Sequence, residues 1–242
     1  MAKPTKSPKI KETKENLQDP VYLTFFATFL FLSGTTFITL LASLSANDLE
    51  QVYLKQALVS ETAVNMIASV TYYYFMVYLY ADKLTLENIT SIRYLDWAFT
   101  TPLLLVSFVL YTEYSSKPGE RADFIPLIYI IILNLGMLLF GYLGETKRMN
   151  YWGGLILGFI CYAVLMYFLY EDYVKGTSEG SITLFSIFAL IWGLYGLSYL
   201  LPTRLKNIAY NILDLISKAG FGVFIWFKLI ASDPTQRLAV DQ

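Results

Sequence analysis

Histidine is missing from this sequence, and cysteine occurs only once, at Cys161. Without histidine, the chain lacks the commonest metal ligand and the commonest general base of enzymes. A single cysteine excludes an intrachain disulfide and a cysteine-based metal cluster. We therefore expect no metal site, and the sequence offers no nucleophile–base pair that would indicate an enzyme.

Charged residues are scarce as well. They make up 15% of the 242 residues, whereas a soluble domain has about 25%. Apolar residues make up 56%, and the mean hydropathy is +0.49. The net charge of −1 is not the basic surface that nucleic acid requires. The composition therefore predicts a membrane protein with no nucleic-acid partner.

Seven apolar segments are each long enough to cross the hydrocarbon core as a helix, which takes about 20 residues. Helices are expected because backbone polar groups in lipid must be satisfied within each segment. The segments run near residues 20–44, 56–80, 90–112, 124–143, 151–171, 181–202 and 208–231. We predict an all-α membrane protein, a bundle of seven transmembrane helices.

Lysine and arginine do not fix the orientation of this bundle. The side that holds the N-terminus carries ten of them and the opposite side six, which favours a cytoplasmic N-terminus. Five of the ten lie in the polar stretch before the first span, and without them the count is five against six.

Three ionisable residues lie inside the predicted spans: Asp96 in the third, and Asp214 and Lys218 in the seventh. Each costs roughly 2.5–3.5 kcal/mol on insertion scales, so each is a functional candidate. An ion pair that joins two helices is one explanation. Lysine can also condense with an aldehyde to form a Schiff base, and both aspartates could balance its positive charge.

Polar side chains also form a stripe on the third span. Arg93, Asp96, Thr100 and Ser107 follow one another at steps of three, four and seven, which places them on one helix face. The stripe points into the bundle interior, where charges interact strongly.

An aromatic stripe runs along the sixth span, where Trp192, Tyr195 and Tyr199 recur at steps of three and four. Such a stripe more commonly reflects core packing than a cofactor wall. Beside a lysine that could carry a chromophore, however, a pigment pocket becomes the better interpretation. Trp97, next to Asp96, would add a second wall.

The segments RYLDWAFTTPLLL (93–105) and NILDLISKAGFGVFIW (211–226) resemble the third and seventh helices of microbial (type 1) rhodopsins. The triplet Asp96, Thr100 and Ser107 resembles that of a giant-virus light-driven proton pump. The resemblance covers residues 20–232, which we predict to be a seven-helix retinal-binding domain. A disordered polar tail (1–19) would precede it and a short tail (233–242) would follow.

The resemblance implies all-trans retinal bound covalently to Lys218 as a Schiff base. It implies that Asp96 is the primary counterion and proton acceptor, and that Asp214 is the second counterion. Arg93 would gate the release side, and Thr100 would hydrogen-bond the acceptor.

The family also implies the walls of the retinal pocket. Trp97 and Trp192 would sandwich the polyene, and Tyr195 and Tyr199 would be pocket aromatics. Tyr73 would be the second-helix tyrosine near Asp214.

Further implications concern colour, the ring end and orientation. Leu104 falls at the spectral-tuning position, where leucine goes with green absorption. Met137 and Gly141 would line the ring end of the pocket. The family orientation places the N-terminus outside and the C-terminus in the cytoplasm.

The sequence departs from the family pattern at several positions. Ser107 stands where efficient pumps have a reprotonating carboxylate, and a hydroxyl has no titratable proton near pH 7. Water, or Glu61 in the second span, would have to replace it, unless Glu61 simply faces the interface. Lys206 stands where bacteriorhodopsin has a release-group glutamate, so no such release complex is expected. Tyr72 stands where proteorhodopsins have a histidine.

The resemblance predicts a light-driven outward proton pump in the lipid bilayer, with a sensory photoreceptor as the alternative, because a missing donor slows the cycle. A light-gated channel is less favoured. We also expect a homo-oligomer. An accessory carotenoid is left open, because Gly153 and Gly154 could open a window that Trp152 could close.

Overall fold

The computed structural model describes residues 19–45, 52–116 and 123–232. The predicted tails, apart from residue 19, lie outside the described residues. Within the described ranges every regular element is a helix and there is no strand.

Seven helices match the seven predicted spans, and their ends differ from the predicted ones by no more than five residues. In chain order they are α1 (Pro20–Ser45), α2 (Val52–Tyr80), α3 (Leu86–Ser116), α4 (Ile125–Glu145), α5 (Tyr151–Tyr173), α6 (Glu179–Ser198) and α7 (Thr203–Ser232).

Successive helices run in opposite directions, so the bundle has two ends. Contacts between Glu145 and Lys206, and between Tyr151 and Tyr199, join helix ends on the side where α1 begins. We call this side the Pro20 end and the opposite side the Ser45 end.

Six of the seven helices are apolar enough to cross a membrane by composition alone, and α2 is the exception. Its polar groups are not directed at lipid, because Glu61, Asn65 and Ser69 recur every four residues and are buried in the bundle. Valines and tyrosines on the other faces of α2 are exposed, as expected for a surface that meets lipid.

The helix α7 is not regular throughout. Its middle, Leu215–Gly220, is wound as a π-helix between two α-helical halves, Thr203–Asp214 and Phe221–Ser232. Such wide turns occur mostly at functional sites, and this one contains Lys218.

Two glycines bring α4 and α5 into backbone contact. A Cβ atom on Gly154 would lie 2.8 Å from Cα of Gly144 and 2.7 Å from the carbonyl oxygen of Phe140, which no real side chain tolerates. Gly154 is therefore part of a close helix contact, and the expectation of a window for an antenna pigment stays a prediction.

Candidate functional site

Three charged side chains meet in the middle of the bundle. Nζ of Lys218 lies 2.6 Å from Oδ2 of Asp96 and 3.4 Å from Oδ1 of Asp214. No more than 4% of any of the three residues is exposed. Ions removed from water in this way must balance one another, so the lysine is enclosed by its two carboxylates.

The two carboxylates differ in their other partners. Asp214 accepts hydrogen bonds from the Tyr72 hydroxyl (2.8 Å), the Trp97 indole nitrogen (3.1 Å) and the Tyr195 hydroxyl (2.7 Å). Asp96 has no such set, and its Oδ1 atom is buried without a partner among the described residues. Because donors favour the charged form of a carboxylate, Asp214 is the better stabilised anion of the two.

Thr100 bonds Asp96 through the main chain. Its hydroxyl donates to the carbonyl oxygen of Asp96 at 2.9 Å, one helical turn earlier. The predicted contact between these residues is therefore present, but it does not reach the carboxylate.

Arg93 lies on the Pro20 side of this centre, and 2% of it is exposed. Its guanidinium donates to the Tyr72 hydroxyl at 2.9 Å and to Oδ1 of Asn211 at 2.8 Å, and Nη1 lies 3.5 Å from Asp214. Four aromatic rings surround it at 5.4–5.6 Å, those of Phe25, Tyr72, Phe75 and Tyr210. Arg93 is thus held inward, against Asp214.

The prediction that Tyr73 lies near Asp214 is wrong by one position. Tyr73 is 57% exposed and its ring packs on Phe29, whereas Tyr72 is fully buried and bonds Asp214. Three successive tyrosines hide the register in the sequence. Each step along a helix turns the side chain by about 100°, so only one of the three shares the buried face of Asn65. The comparison of Tyr72 with the histidine of proteorhodopsins is wrong for the same reason, because it used the same register of α2, shifted by one residue.

A largely apolar cavity begins at Lys218 and extends between α3, α4, α5 and α6. Its empty space of about 750 Å³ includes volume that is open to the surface. Eight predicted residues line it: Trp97, Leu104, Met137, Gly141, Trp192, Tyr195, Tyr199 and Lys218. Gly141 has no room for a Cβ atom, which would lie 2.6 Å from the hydroxyl oxygen of Tyr94.

On the Ser45 side of Lys218, Ser107 packs against α2. Its hydroxyl donates to the carbonyl oxygen of Ala57 at 3.2 Å, one helical turn before Glu61. The Glu61 side chain is fully buried beside Ser107, and neither carboxyl oxygen has a hydrogen-bond partner among the described residues. The alternative that Glu61 faces the membrane interface is therefore wrong.

Two asparagines of the site were missed in the sequence. Asn207 and Asn211 both accept from Arg93, and Asn211 also bonds Thr24 of α1. The sequence did contain a signal for them. Asn207, Asn211, Asp214 and Lys218 follow one another at steps of four, three and four, and this spacing places all four on one helix face.

A metal site finds no support. Across residues 19–45, 52–116 and 123–232, no group of three acidic, cysteine or histidine side chains is placed to hold an ion.

The family of the chain follows from comparison with known proteins. The profile of the family described as "Bacteriorhodopsin-like protein" matches residues 21–232, which include all seven helices. The chain belongs to this family, the microbial rhodopsins. It is therefore an integral, multi-pass membrane protein with the seven-helix rhodopsin fold.

Several rhodopsins resemble the chain over most of its length. The crystal structure of viral rhodopsin OLPVRII superimposes with a TM-score of 0.80 at 30% identity, covering 86% of this chain and 96% of the other. The proton-pumping rhodopsin AR2 of the marine alga Acetabularia acetabulum gives 0.68 at 23% identity, over 86% and 94%. The green-light absorbing proteorhodopsin of gamma-proteobacterium EBAC31A08 is 26% identical over 185 residues, 69% of this chain and 73% of its own.

These similarities place the chain among light-driven pumps and light sensors, which are not enzymes in the ordinary sense. Proton pumps are among its structural neighbours. The residues that meet at Lys218 lie on α2, α3, α6 and α7, all within the matched range.

Proposed function

We propose that the protein is a light-driven outward proton pump that carries all-trans retinal on Lys218. One observation supports this more than any other: the carboxylate of Asp96 lies 2.6 Å from Nζ of Lys218. At this distance a proton on the lysine nitrogen can pass directly to the carboxylate.

The residues present fit retinal. The apolar cavity ends at the amine that would form the covalent link, and tryptophans 97 and 192 supply flat walls. The buried Oδ1 atom of Asp96 has no hydrogen-bond partner among the residues that the structure describes. When bound as a protonated Schiff base, retinal supplies light absorption and an isomerisation that changes the direction of the N–H bond.

Asp96 then acts as the proton acceptor. Its carboxylate takes the proton from Nζ of Lys218, because Asp96 is the less stabilised anion. Asp214 keeps its negative charge, since three side-chain donors and Arg93 stabilise it. Once the carboxylate of Asp96 is neutral, one of the two negative charges that attract Arg93 is lost while Asp214 remains, and this weaker inward attraction favours proton movement toward the Pro20 end.

Glu61 supplies the proton that returns to Lys218. It is a fully buried carboxyl group on the Ser45 side, next to the hydroxyl that stands at the usual donor position. Asn65, one turn further along α2, donates to the main-chain oxygens of Glu61 (2.8 Å) and Lys218 (3.4 Å). Polar groups thus extend from the acid to the lysine-bearing turn.

We further propose that the Pro20 end faces outside, as in the family orientation. A release route past Arg93 and an uptake route past Glu61 then give outward transport. A sensory photoreceptor is the second candidate, because Ser107 in place of an acid favours a slow cycle.

The direct test is light-induced transport. Cells that express the chain with all-trans retinal are illuminated in weakly buffered medium, and external pH is recorded with and without a protonophore. Acidification that the protonophore abolishes is expected. A coloured protein that leaves the pH unchanged would overturn the pump and favour the sensor.

A further inference from the structure

A second buried charged cluster lies at the Pro20 end. The Glu145 side chain, at the end of α4, is 3% exposed, and that of Lys206, at the start of α7, is 14% exposed. Nζ of Lys206 lies 3.3 Å from Oε1 of Glu145, and the Tyr210 hydroxyl donates to the same oxygen at 3.0 Å. We call Glu145, Lys206 and Tyr210 the outer cluster.

The outer cluster is separated from the central site by a single aromatic layer. The ring of Tyr210 lies 5.6 Å from the guanidinium carbon of Arg93 and 4.9 Å from the ring of Trp97. Its hydroxyl, at the other end of the same side chain, bonds Glu145. Tyr210 is 4% exposed, so one buried residue joins Arg93 to the outer carboxylate.

Neighbouring helix ends hold Glu145 in place. The hydroxyls of Tyr151 and Tyr199 each donate to the other's main-chain oxygen at 2.8 Å, and this couples α5 to the end of α6. Gly144 leaves room for the Tyr199 hydroxyl, which a Cβ atom there would strike. The Lys206 ammonium also lies over the Tyr199 ring at 5.3 Å. The tyrosine pair thus packs against Lys206, the cation that contacts the carboxylate, and against Gly144, its neighbour in the chain.

Fold stability alone does not explain this arrangement. A buried ion pair is weak evidence for stability, because desolvation of two charges offsets much of their attraction and apolar residues commonly do as well. Glu145 lies at the end of its helix but is enclosed, and enclosed ionisable groups of transmembrane bundles are functional candidates, proton relays among them.

We propose that Glu145 is the outward relay for the transported proton, an inference that rests on the proposed pump. The proton leaves the carboxyl of Asp96, where an O–H bond breaks, and binds the carboxylate of Glu145, where one forms. Lys206 keeps Glu145 ionised beforehand and expels the proton afterwards to the medium, which restores the ion pair. Tyr210 positions the carboxylate on the outer side of the aromatic ring that borders Arg93. No release complex was expected from the sequence, because Lys206 stands where bacteriorhodopsin has a glutamate. In this protein Glu145 of α4 supplies an acid beside that position.

The experiment compares Glu145→Gln with the control Glu87→Gln, which removes an exposed carboxylate from the same end of the bundle. Two signals are timed after a light flash: proton loss from Lys218, seen as absorbance, and proton arrival outside, seen with a pH-sensitive dye. Glu145→Gln is expected to leave the colour and the first signal unchanged and to delay the second by about a hundredfold, the low end for a positioned acid–base group. The control is expected to delay neither.

Infrared difference spectra provide a readout that does not depend on transport. A carboxylic C=O band that appears between the two signals in the unaltered protein, and is lost in Glu145→Gln, is expected. Unchanged release timing together with an unchanged band would overturn the relay. A fall in thermal stability of both Glu145→Gln and Lys206→Met, with normal release, would assign the cluster to structure alone.

Two further results keep this inference separate from the pump itself. If Glu145→Gln forms no pigment, Tyr210→Phe replaces it, because it removes only the hydroxyl that bonds Glu145; normal release timing there would overturn the relay. If the unaltered protein changes no external pH under light, the pump is overturned. The Glu145 infrared band then decides the relay: its absence overturns it, and its presence supports proton transfer within the protein.

Discussion

Nζ of Lys218 lies closer to Asp96, at 2.6 Å, than to Asp214, at 3.4 Å, although Asp214 is on its own helix. The nearer carboxylate is the one with a buried oxygen that has no partner among the described residues, and the farther one accepts three side-chain hydrogen bonds. This difference supports the proposal that Asp96 receives the proton while Asp214 remains charged.

Lys218→Ala should abolish pigment formation, because Lys218 is the one lysine among the described residues that line the cavity. The measurement is the visible spectrum after addition of all-trans retinal to the purified protein. Lys228→Ala is the matched control, a lysine of the same helix that packs over Phe224, and it should keep the colour. A coloured Lys218→Ala protein would contradict the assignment of the covalent link.

Asp96→Asn should move the absorption maximum to the red, because the negative charge next to a cationic pigment stabilises its ground state. It should also reduce light-driven transport by about 10²-fold or more, the contribution of a positioned acid–base group. Spectra and pH recordings on the same preparation test both effects. Asp82→Asn, in a loop where φ is 51° and asparagine is tolerated, should change neither.

Tyr72→Phe and Tyr73→Phe test the register of α2. Removal of the Tyr72 hydroxyl deprives Asp214 of a donor and Arg93 of an acceptor, which should cost about 1–3 kcal/mol. Loss of the exposed Tyr73 hydroxyl should stay within about 0.5 kcal/mol. Thermal loss of colour measures the difference. Equal effects, or a larger one at Tyr73, would contradict the contacts described for Tyr72.

Glu61→Gln should change how reprotonation of Lys218 depends on pH. With an internal donor the rate is nearly independent of cytoplasmic pH. Without one, protons must come from the medium, so the rate should fall about tenfold for each unit rise in pH, in proportion to proton concentration. Flash absorbance on vesicles of known orientation measures it.

Glu179→Gln, an exposed acid at the start of α6, is the matched control at the same end of the bundle and should keep the behaviour of the unaltered protein. If Glu61→Gln also does so, Glu61 is not the donor: a rate that falls with rising pH in both proteins would indicate uptake through water, and a rate independent of pH in both would indicate another internal group.

The fold was predictable because membrane spans are long and apolar, and seven helices were correctly expected. Composition alone recognises only six, since α2 carries buried polar side chains such as Glu61 and Asn65. The orientation of the termini, the homo-oligomer and an accessory carotenoid remain predictions.

Residues of the site could be predicted where they belong to a motif with a fixed spacing. The positions of Lys218, Asp96 and Asp214 follow from two short segments. Tyr72 was missed because three tyrosines follow one another, and the sequence does not show which of them faces the interior of the bundle. Glu145 was missed because it lies at a helix end, where an acid ordinarily meets water; only its contacts with Lys206 and Tyr210 in the folded protein show that its side chain is enclosed.

The π-helical turn at Leu215–Gly220 has a mechanical consequence for α7. Because it holds more residues per turn than its neighbours, the halves on either side of Lys218 follow different rotational phases. One half presents asparagines to Arg93, while the other packs Gly222 beside Asn65 and Glu61. Removing one residue from the turn would restore even winding and rotate one half by about 100°, so that the side chains facing Arg93 and those facing Glu61 would no longer point to the same interior.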